Sequence, residues 1–587
     1  MRGTAPREWT LLSPDPSLVR ELSARHGLTP AAAAVLANRG IAAPPDVDRF
    51  LRGTLADLSD PSLLKDADKA ADRLATAGLR GEPILVYADY DADGATGAAC
   101  LRLFLGEMFP GLPVRIHQND RRRDGYGLQA KVLAQFAREG YRLAVSVDCG
   151  ISDADAVAEA AREGVAVIVT DHHLPGDTAP PAYAVVNPRQ PDCPFPGKEV
   201  AGVGVAFLLA CALRKRLRGS GFFDIRPEPS LRRYLDLVAL GTVADMAPLR
   251  DGNRLLVREG LREIRKGPRT GIGALFAAAG IPHETATEAD LAFRIGPRLN
   301  AAGRVGDASR SARILVSDSR EEAVRLAREL NDDNARRQRE EARILARVEE
   351  TLSAGGEIPP AIVLSDPAWD VGVLGIVASR ILERYARPVV LLQEEEGTAK
   401  GSCRSVDGFP IVEALSRVSH LLSRFGGHAQ AAGVALHVSR LGEFRRELSE
   451  IAARHAESAP FVPRRVIDAE VRVDDVTPAL LADLDLLRPF GQGNEEPLFL
   501  LRGARVRSHG RFGGDAQHVR FEVAGEGRRL EGVAFHRREI PSDPSGRSDL
   551  LFAVQENVYR GTRSLRLLLR DARPAGGPLL CAGPGAG

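Results

Sequence analysis

The sequence predicts a multidomain α/β protein: a parallel sheet flanked by helices, then a second, smaller α/β region, then a small β-barrel or sandwich. Three observations predict it. Ile84-Leu85-Val86-Tyr87-Ala88, Leu143-Ala144-Val145-Ser146-Val147 and Val165-Ala166-Val167-Ile168-Val169-Thr170 are short apolar runs alternating with helical stretches, as in a parallel sheet. From about Arg320 to Leu352 the chain has few β-branched residues and many Glu, Arg, Ala and Leu, the composition of one long helix. From about 465 to 575 short alternating stretches recur, such as His518-Val519-Arg520-Phe521-Glu522-Val523.

Taken in order, residues 1–80 read as short helices with joints at Thr29-Pro30 and Pro44-Pro45, expected to pack on the first sheet domain, 81–315. The long helix, 316–356, is stopped by Gly355-Gly356 and Pro359-Pro360. The second α/β region, 357–460, opens with Ala361-Ile362-Val363-Leu364, and Val389-Val390-Leu391-Leu392 is its next strand. The barrel region spans 461–575, and 576–587 is expected to be a disordered tail.

Composition narrows the classes. At 587 residues the chain exceeds one core, so roughly three or four domains are expected. A hydrophobic content of 44% with 27% charged residues is that of a soluble globular protein. No apolar run approaches the roughly 20 residues of a membrane span, and the N-terminus lacks a signal-peptide core, so a cytoplasmic protein is expected. The six cysteines form no CxxC pair, which argues against a disulfide framework and a zinc–thiolate site. Net charge is only +1, yet from Leu501 onward 15 Arg face 9 acids, about +6 in that piece.

The apolar runs share one further property: each ends in acid. They lead into Asp89-Tyr90-Asp91-Ala92-Asp93-Gly94, Asp148-Cys149-Gly150 and Asp171-His172-His173, and the apolar stretch from Asp236 ends at Asp245. Ligands of parallel sheets bind beyond the carboxyl ends of the strands. Carboxylates and imidazoles gathered there would be costly unless a cation neutralised them. An EF-hand is excluded, because the twelfth position counted from Asp89 is Cys100 rather than Glu. Asp89, Asp91, Asp93, Asp148, His172 and Asp245 form the expected metal set, suited to manganese or magnesium rather than a thiolate metal. Adjacent side chains of an extended dipeptide point apart, so His173 is expected to contact phosphate rather than metal. Asp171 is expected to orient an imidazole. Asp236 is read as either a supporting carboxylate or a helix start.

Asp89-Tyr90-Asp91-Ala92-Asp93-Gly94 with Asp171-His172-His173 resembles the DHH phosphoesterase superfamily. Arg121-x-x-Asp124-Gly125-Tyr126-Gly127 and Ile295-Gly296-Pro297-Arg298-Leu299-Asn300-Ala301-Ala302-Gly303-Arg304 narrow the resemblance to the RecJ single-strand-specific exonucleases. Gly375-Ile376-Val377-Ala378-Ser379-Arg380, Gly401-Ser402-Cys403-Arg404-Ser405 and Gly426-Gly427-His428 resemble the superfamily's associated second domain. Pro489-Phe490-Gly491-Gln492-Gly493-Asn494 resembles the lead-in to the family's terminal OB fold. The likeness covers about residues 10–573, in the family's order. Two departures stand out: Asp370 where the family has His after Trp, and Cys149 where a small or amide residue is commoner.

The resemblance implies a 5′-to-3′ exonuclease on single-stranded DNA that releases mononucleotides by two-metal hydrolysis in recombination and repair. It makes Asp148 the bridging ligand and counts Asp91, Asp148, Asp171, His172 and His173 as the catalytic group. Arg121, Arg298, Asn300, Arg304, Ser402 and Arg404 are the implied contacts to DNA and a 5′-phosphate, with Gly303 and Gly401 admitting the strand. Gly427 and His428 form a backbone clamp. In the barrel, Phe521 and Phe535 alternate like core residues, leaving Tyr559 as the surface stacking candidate. Implied partners are single-stranded DNA, a single-strand-binding protein and a helicase; a monomer with no membrane contact is expected. The rival readings are a small-substrate phosphodiesterase acting on oligoribonucleotides or cyclic dinucleotides, and a non-catalytic replication scaffold.

Overall fold

The computed structural model describes residues 7–121, 123–514, 516–559 and 562–583; the side chains at 508, 558, 559, 562 and 563, Tyr559 among them, lie outside that description. The chain forms two compact units, one of Asp48–Arg336 with Leu487–Glu495, the other of Met1–Val47, Arg337–Leu486 and Glu496–Gly587. The N-terminal segment therefore differs from expectation. It begins with a strand, β1 (Glu8–Leu12), and its first 47 residues cluster with the C-terminal half. Both apolar and polar contacts hold it there: Trp9 is buried with Ile467, Leu500 and Leu551, Thr29 donates through N and Oγ1 to Asp483 Oδ2 at 2.7 and 2.6 Å, and Asn38 Nδ2 donates to Asp468 O at 2.8 Å.

In the first unit, β2 (Ile84–Ala88), β3 (Val114–Gln118), β4 (Leu143–Val147), β5 (Ala166–Thr170) and β6 (Ala184–Val186) form an all-parallel sheet in the order β3-β2-β4-β5-β6. The continuous apolar runs follow from burial on both faces. Ile84, Val86 and Ala88 enter one core with helices Ala92–Met108, Gly202–Gly219 and Leu235–Ala244. Leu85 and Tyr87 enter another, with helices Ala130–Arg138 and Ala154–Arg162. The chain leaves β2 to one side for β3 and returns on the other for β4. Strand order thus reverses between β2 and β4, opening the crevice where such sheets bind ligands. Asp236 starts a helix and pairs there with Arg269, 2.7 Å away.

The long helix spans Arg320–Ala354, 35 residues, or about 52 Å. In the second unit, β7 (Ile362–Asp366), β8 (Val389–Glu395), β9 (Thr398–Arg404), β10 (Leu422–Gly427) and β11 (Ala431–His437) make a sheet ordered β10-β11-β9-β8-β7. Only β7 and β8 run parallel; the other pairs are antiparallel.

After β12 (Arg464–Ile467) and β13 (Ala469–Glu470) come β14 (Phe499–Phe512), β15 (His518–Ala524), β16 (Arg529–Ala534), β17 (Arg547–Tyr559) and β18 (Thr562–Pro574). Pairing of β14 with β17 closes these last five into a barrel. The expected disordered tail instead contains β19 (Leu580–Ala582), which pairs with β1 opposite β12 and so covers its open edge. Phe521 is buried as its alternation implies, but Phe535 is 45% exposed. It lies just beyond the end of β16, where alternation no longer fixes the buried face.

Candidate metal centre

Each acidic residue is placed by a strand or helix end. Asp89 directly follows β2, and Asp91 caps helix Ala92–Met108, its Oδ1 accepting from the N–H of Asp93 and Gly94 at 2.9 and 3.0 Å. Asp93, on the first turn of that helix, accepts from the N–H of Gly202 and Val203 at 2.7 and 2.8 Å. Asp148 follows β4 at φ 62°, in the left-handed region that Asp enters more readily than most residues. Asp245 caps the C-terminal end of helix Leu235–Ala244 rather than a strand.

These residues converge as three overlapping groups: Asp89, Asp91 and Asp148; Asp93, His172 and Asp245; Asp148, His172 and His173. Asp148 and His172 are shared, and His172 Nε2 lies 3.1 Å from Asp148 Oδ1, 3.8 Å from Asp93 Oδ2 and 3.9 Å from Asp245 Oδ2. Burial and the neighbouring His173 push the His172 imidazole down to about 4, so it is neutral near pH 7. Burial, then the charge of Asp91, raises Asp93 to about 7 against the pull of its two backbone donors, and raises Asp89 well above the carboxylate range. Asp148 and Asp245 are raised likewise, by burial and then by the surrounding carboxylates, Asp93 foremost.

The donor set fits divalent cations. Asp89 Oδ1, Asp148 Oδ1 and His172 Nε2 are buried and accept no hydrogen bond among the described residues. Lone pairs facing one another in a low-dielectric crevice are what a hard or borderline cation requires. His173 differs: its Nδ1, the nitrogen nearest Asp148 Oδ1 at 3.8 Å, is already engaged by Asp171 Oδ1 at 2.8 Å and by Tyr126 Oη at 3.1 Å. Burial alone would lower His173, but Asp171 holds it above the usual range; burial alone would raise Asp171, but His173 and the N–H of Ile151 and His173 hold it below.

Tyr126 was not singled out by residue chemistry. Its hydroxyl bonds both His173 and Asp148 O, and the available signal was its place between Gly125 and Gly127, both at positive φ. Arg121 lies over the Tyr90 ring at 5.4 Å, and its charge is felt at Asp89. Asn300 Oδ1 accepts from Ala92 N at 2.7 Å, which braces the loop carrying Asp91. Arg298 is half-buried: Nε and Nη2 donate to Asn331 Oδ1 and Nη1 to Arg294 O. Arg304 ends the helix Gly296–Val305. Gly303 packs closely on Tyr90; a Cβ there would stand 2.7 Å from Tyr90 O.

The second unit carries the other candidates. Ser402 and Arg404 alternate onto one face of β9, where Gly375 makes room: a Cβ on it would lie 2.8 Å from Arg404 Nη2 and 3.5 Å from Ser402 Oγ. Gly401 serves packing, since a Cβ would collide with Leu391 O. Asp370 caps helix Val371–Tyr385 by accepting from Gly372 N at 2.8 Å, which accounts for an acid at that position. Gly427, at φ 146°, and exposed His428 form the β10–β11 turn, with His428 N donating to Ala431 O at 2.8 Å.

Comparison with known proteins follows the same division. Residues 83–242 match the N-terminal domain of the DHH family, 359–454 the DHHA1 domain and 467–571 the RecJ OB domain. The single-stranded-DNA-specific exonuclease RecJ of Dickeya dadantii is 39% identical over 555 residues, 92% of this chain and 95% of that protein. RecJ of Bacillus subtilis is 34% identical over 568 residues, 96% of this chain and 70% of that one. The crystal structure of Thermus thermophilus RecJ in complex with Mn2+ superposes with a TM-score of 0.82 at 35% identity, covering 98% of this chain and 80% of that one. With that likeness along nearly its whole length and three matching domains, the chain belongs to the RecJ family.

Proposed function

We infer that this chain is a metal-dependent exonuclease specific for single-stranded DNA, acting in recombination and repair. One observation carries the reading: acid–imidazole groups that share Asp148 and His172 meet at the sheet's reversal point in a member of the RecJ family. Two bound Mn2+ or Mg2+ ions would neutralise the scissile phosphate and furnish hydroxide near neutral pH. Asp89, Asp91 and Asp148 would hold one, and Asp93, His172 and Asp245 the other. Asp171 fixes the His173 ring and its charge, leaving the Nε2 proton to a phosphate oxygen as negative charge builds. The small-substrate reading leaves the barrel without a role, and the scaffold reading leaves the intact acid cluster unexplained.

The barrel supports strand binding. Phe512, His518 and Phe535 form a ring cluster with centroids 5.1–6.0 Å apart, and Arg520 lies 5.0 Å over Phe512. Flat rings beside cations bind single strands without sequence preference. The partners of this reading are single-stranded DNA and, on family likeness alone, a single-strand-binding protein and a helicase. No described helix is long and apolar enough to cross a membrane, and the proposed place is the cytoplasm.

Polarity is proposed as 5′ to 3′, with Ser402 and Arg404 reading a 5′-phosphate, since a terminal phosphate carries more charge than an internal one. End-labelled strands blocked at either terminus test this. Degradation of a 3′-blocked, 5′-phosphorylated strand is expected, with Arg404→Ala reducing the preference for 5′-phosphate over 5′-hydroxyl ends. Nucleotide release from the 3′ end of a 5′-blocked strand would overturn the polarity.

A further inference from the structure

The Pro489–Asn494 motif does not belong to the barrel's unit. Leu487–Glu495 clusters with Asp48–Arg336, although the residues on either side, to Leu486 and from Glu496, cluster with the other unit. Its anchorage is extensive. Buried Glu288 accepts through Oε1 from Arg488 Nη1 at 2.5 Å and from Phe490 N at 3.1 Å. Buried Arg254 donates from Nη2 to Arg488 O at 2.8 Å, and Asn494 Nδ2 braces the segment on Leu487 O and Pro489 O.

What the segment grips is the chain leaving Asp245. Leu249 N donates to Gln492 O at 2.7 Å, and Arg250 Nε to Gly493 O at 2.9 Å. A Cβ on Gly491 would stand 2.8 Å from Leu249 Cδ1, so the two chains are in close contact. Asp245 has a helix on one side only. On the other, left-handed Met246 (φ 60°) caps the helix, with Met246 N donating to Val243 O and Ala247 N to Thr242 O at 3.2 Å. The capped turn hands the chain on to Leu249 and Arg250, the two residues that the segment holds. The grip also reaches Asp93: Asn253 Nδ2 donates to both Pro248 O and Glu199 O, and Glu199 leads into Gly202 and Val203, the donors to Asp93.

We propose that Leu487–Glu495 is a latch that positions Asp245, and through Asn253 supports Asp93, for metal binding. The proposal rests on reading the acid–histidine cluster as a metal centre. Gly493 and Arg250 are positioning residues in it, bonded to one another rather than to a metal ligand. Gly493→Ala would place a Cβ at φ 71°, 2.9 Å from Arg250 Nε, and prise the latch open; Arg250→Ala removes one bond and is the gentler change.

The test is Mn2+ titration of full-length protein followed by electron paramagnetic resonance, with circular dichroism as the folding control. Expected is about tenfold weaker Mn2+ binding at one site, as for loss of a group that orients a ligand. Activity lost at low Mn2+ should return at saturating Mn2+, while affinity for 5′-phosphorylated oligo(dT) in EDTA stays at the parent value. Mn2+ affinity within twofold of the parent in a folded variant would overturn the latch, and Arg250→Ala decides if Gly493→Ala does not fold. If the unsubstituted chain binds no Mn2+, the metal reading fails and the latch with it.

Discussion

Asp148 is held at φ 62°, a conformation costing a side-chain-bearing residue about 1–2 kcal/mol. Asp and Asn tolerate it better than other residues. Asp148→Asn should therefore keep the backbone while removing a charge that its neighbours repel. Its melting temperature in chelator should be no lower than that of the parent, while cleavage should fall by more than about a hundredfold as a shared ligand is lost. Near-normal turnover would remove Asp148 from the centre. Asp171→Asn should act more mildly, about 10–100-fold, because it loosens His173 rather than deleting a ligand.

Elements determine which side chains can work together. The ends of β2, β4 and β5 lie side by side because the strands are in parallel register, Ala88 opposite Val147 and Val147 opposite Thr170. Adjacent parallel strands therefore deliver Asp89, Asp148 and Asp171 to one rim. The barrel strands deliver charge in the same way: Arg505, Arg507, Arg511 and Arg520 are exposed on β14 and β15. Arg507→Glu with Arg520→Glu should weaken binding of long single strands while sparing cleavage of very short ones. The slope of log affinity against log salt should shrink by about 0.7 for each phosphate that is no longer neutralised. An unchanged slope in a folded double variant would show that this face does not hold the strand.

At the scale of the molecule, the cluster makes stability depend on pH and metal. Asp93 is raised from 3.8 to about 7, and Asp89, Asp148 and Asp245 are raised as well. The folded chain thus binds more protons than the unfolded one, and the stability these carboxyls contribute is lost as pH rises through their folded values. His172, lowered to about 4, acts with the opposite sign, but only below its ordinary value of 6.5. In chelator the melting temperature should fall as pH rises from 6 to 8, and saturating Mn2+ should reverse the trend. A metal-free melting temperature that climbs with pH across this window would contradict the burial and mutual repulsion of the four carboxyls.

Much of this was legible in the chain because it is local. Strand runs ending in Asp89, Asp148 and Asp171 announce themselves by period and punctuation, as does the helix from Arg320. Closure of the barrel was less direct, since alternation reports strands but not their partners. Residue roles depended on distant groups. Arg298 has the chemistry of a phosphate contact, and the fold adds bonds from it to Asn331 and Arg294 that no local pattern announces. Gly303 lets Tyr90 pack close, and Asp245 reaches the centre from a helix end. Pairing of β19 with β1 and seating of Leu487–Glu495 beside Leu249 join residues hundreds of positions apart. The sequence by itself determined which segments become strands and helices and which acids stand at their ends, because burial and backbone geometry act over a few residues. Only the tertiary structure decided which polar atoms remain unpaired at the centre, because hydrogen-bond partners are allotted among segments that meet only in the folded chain.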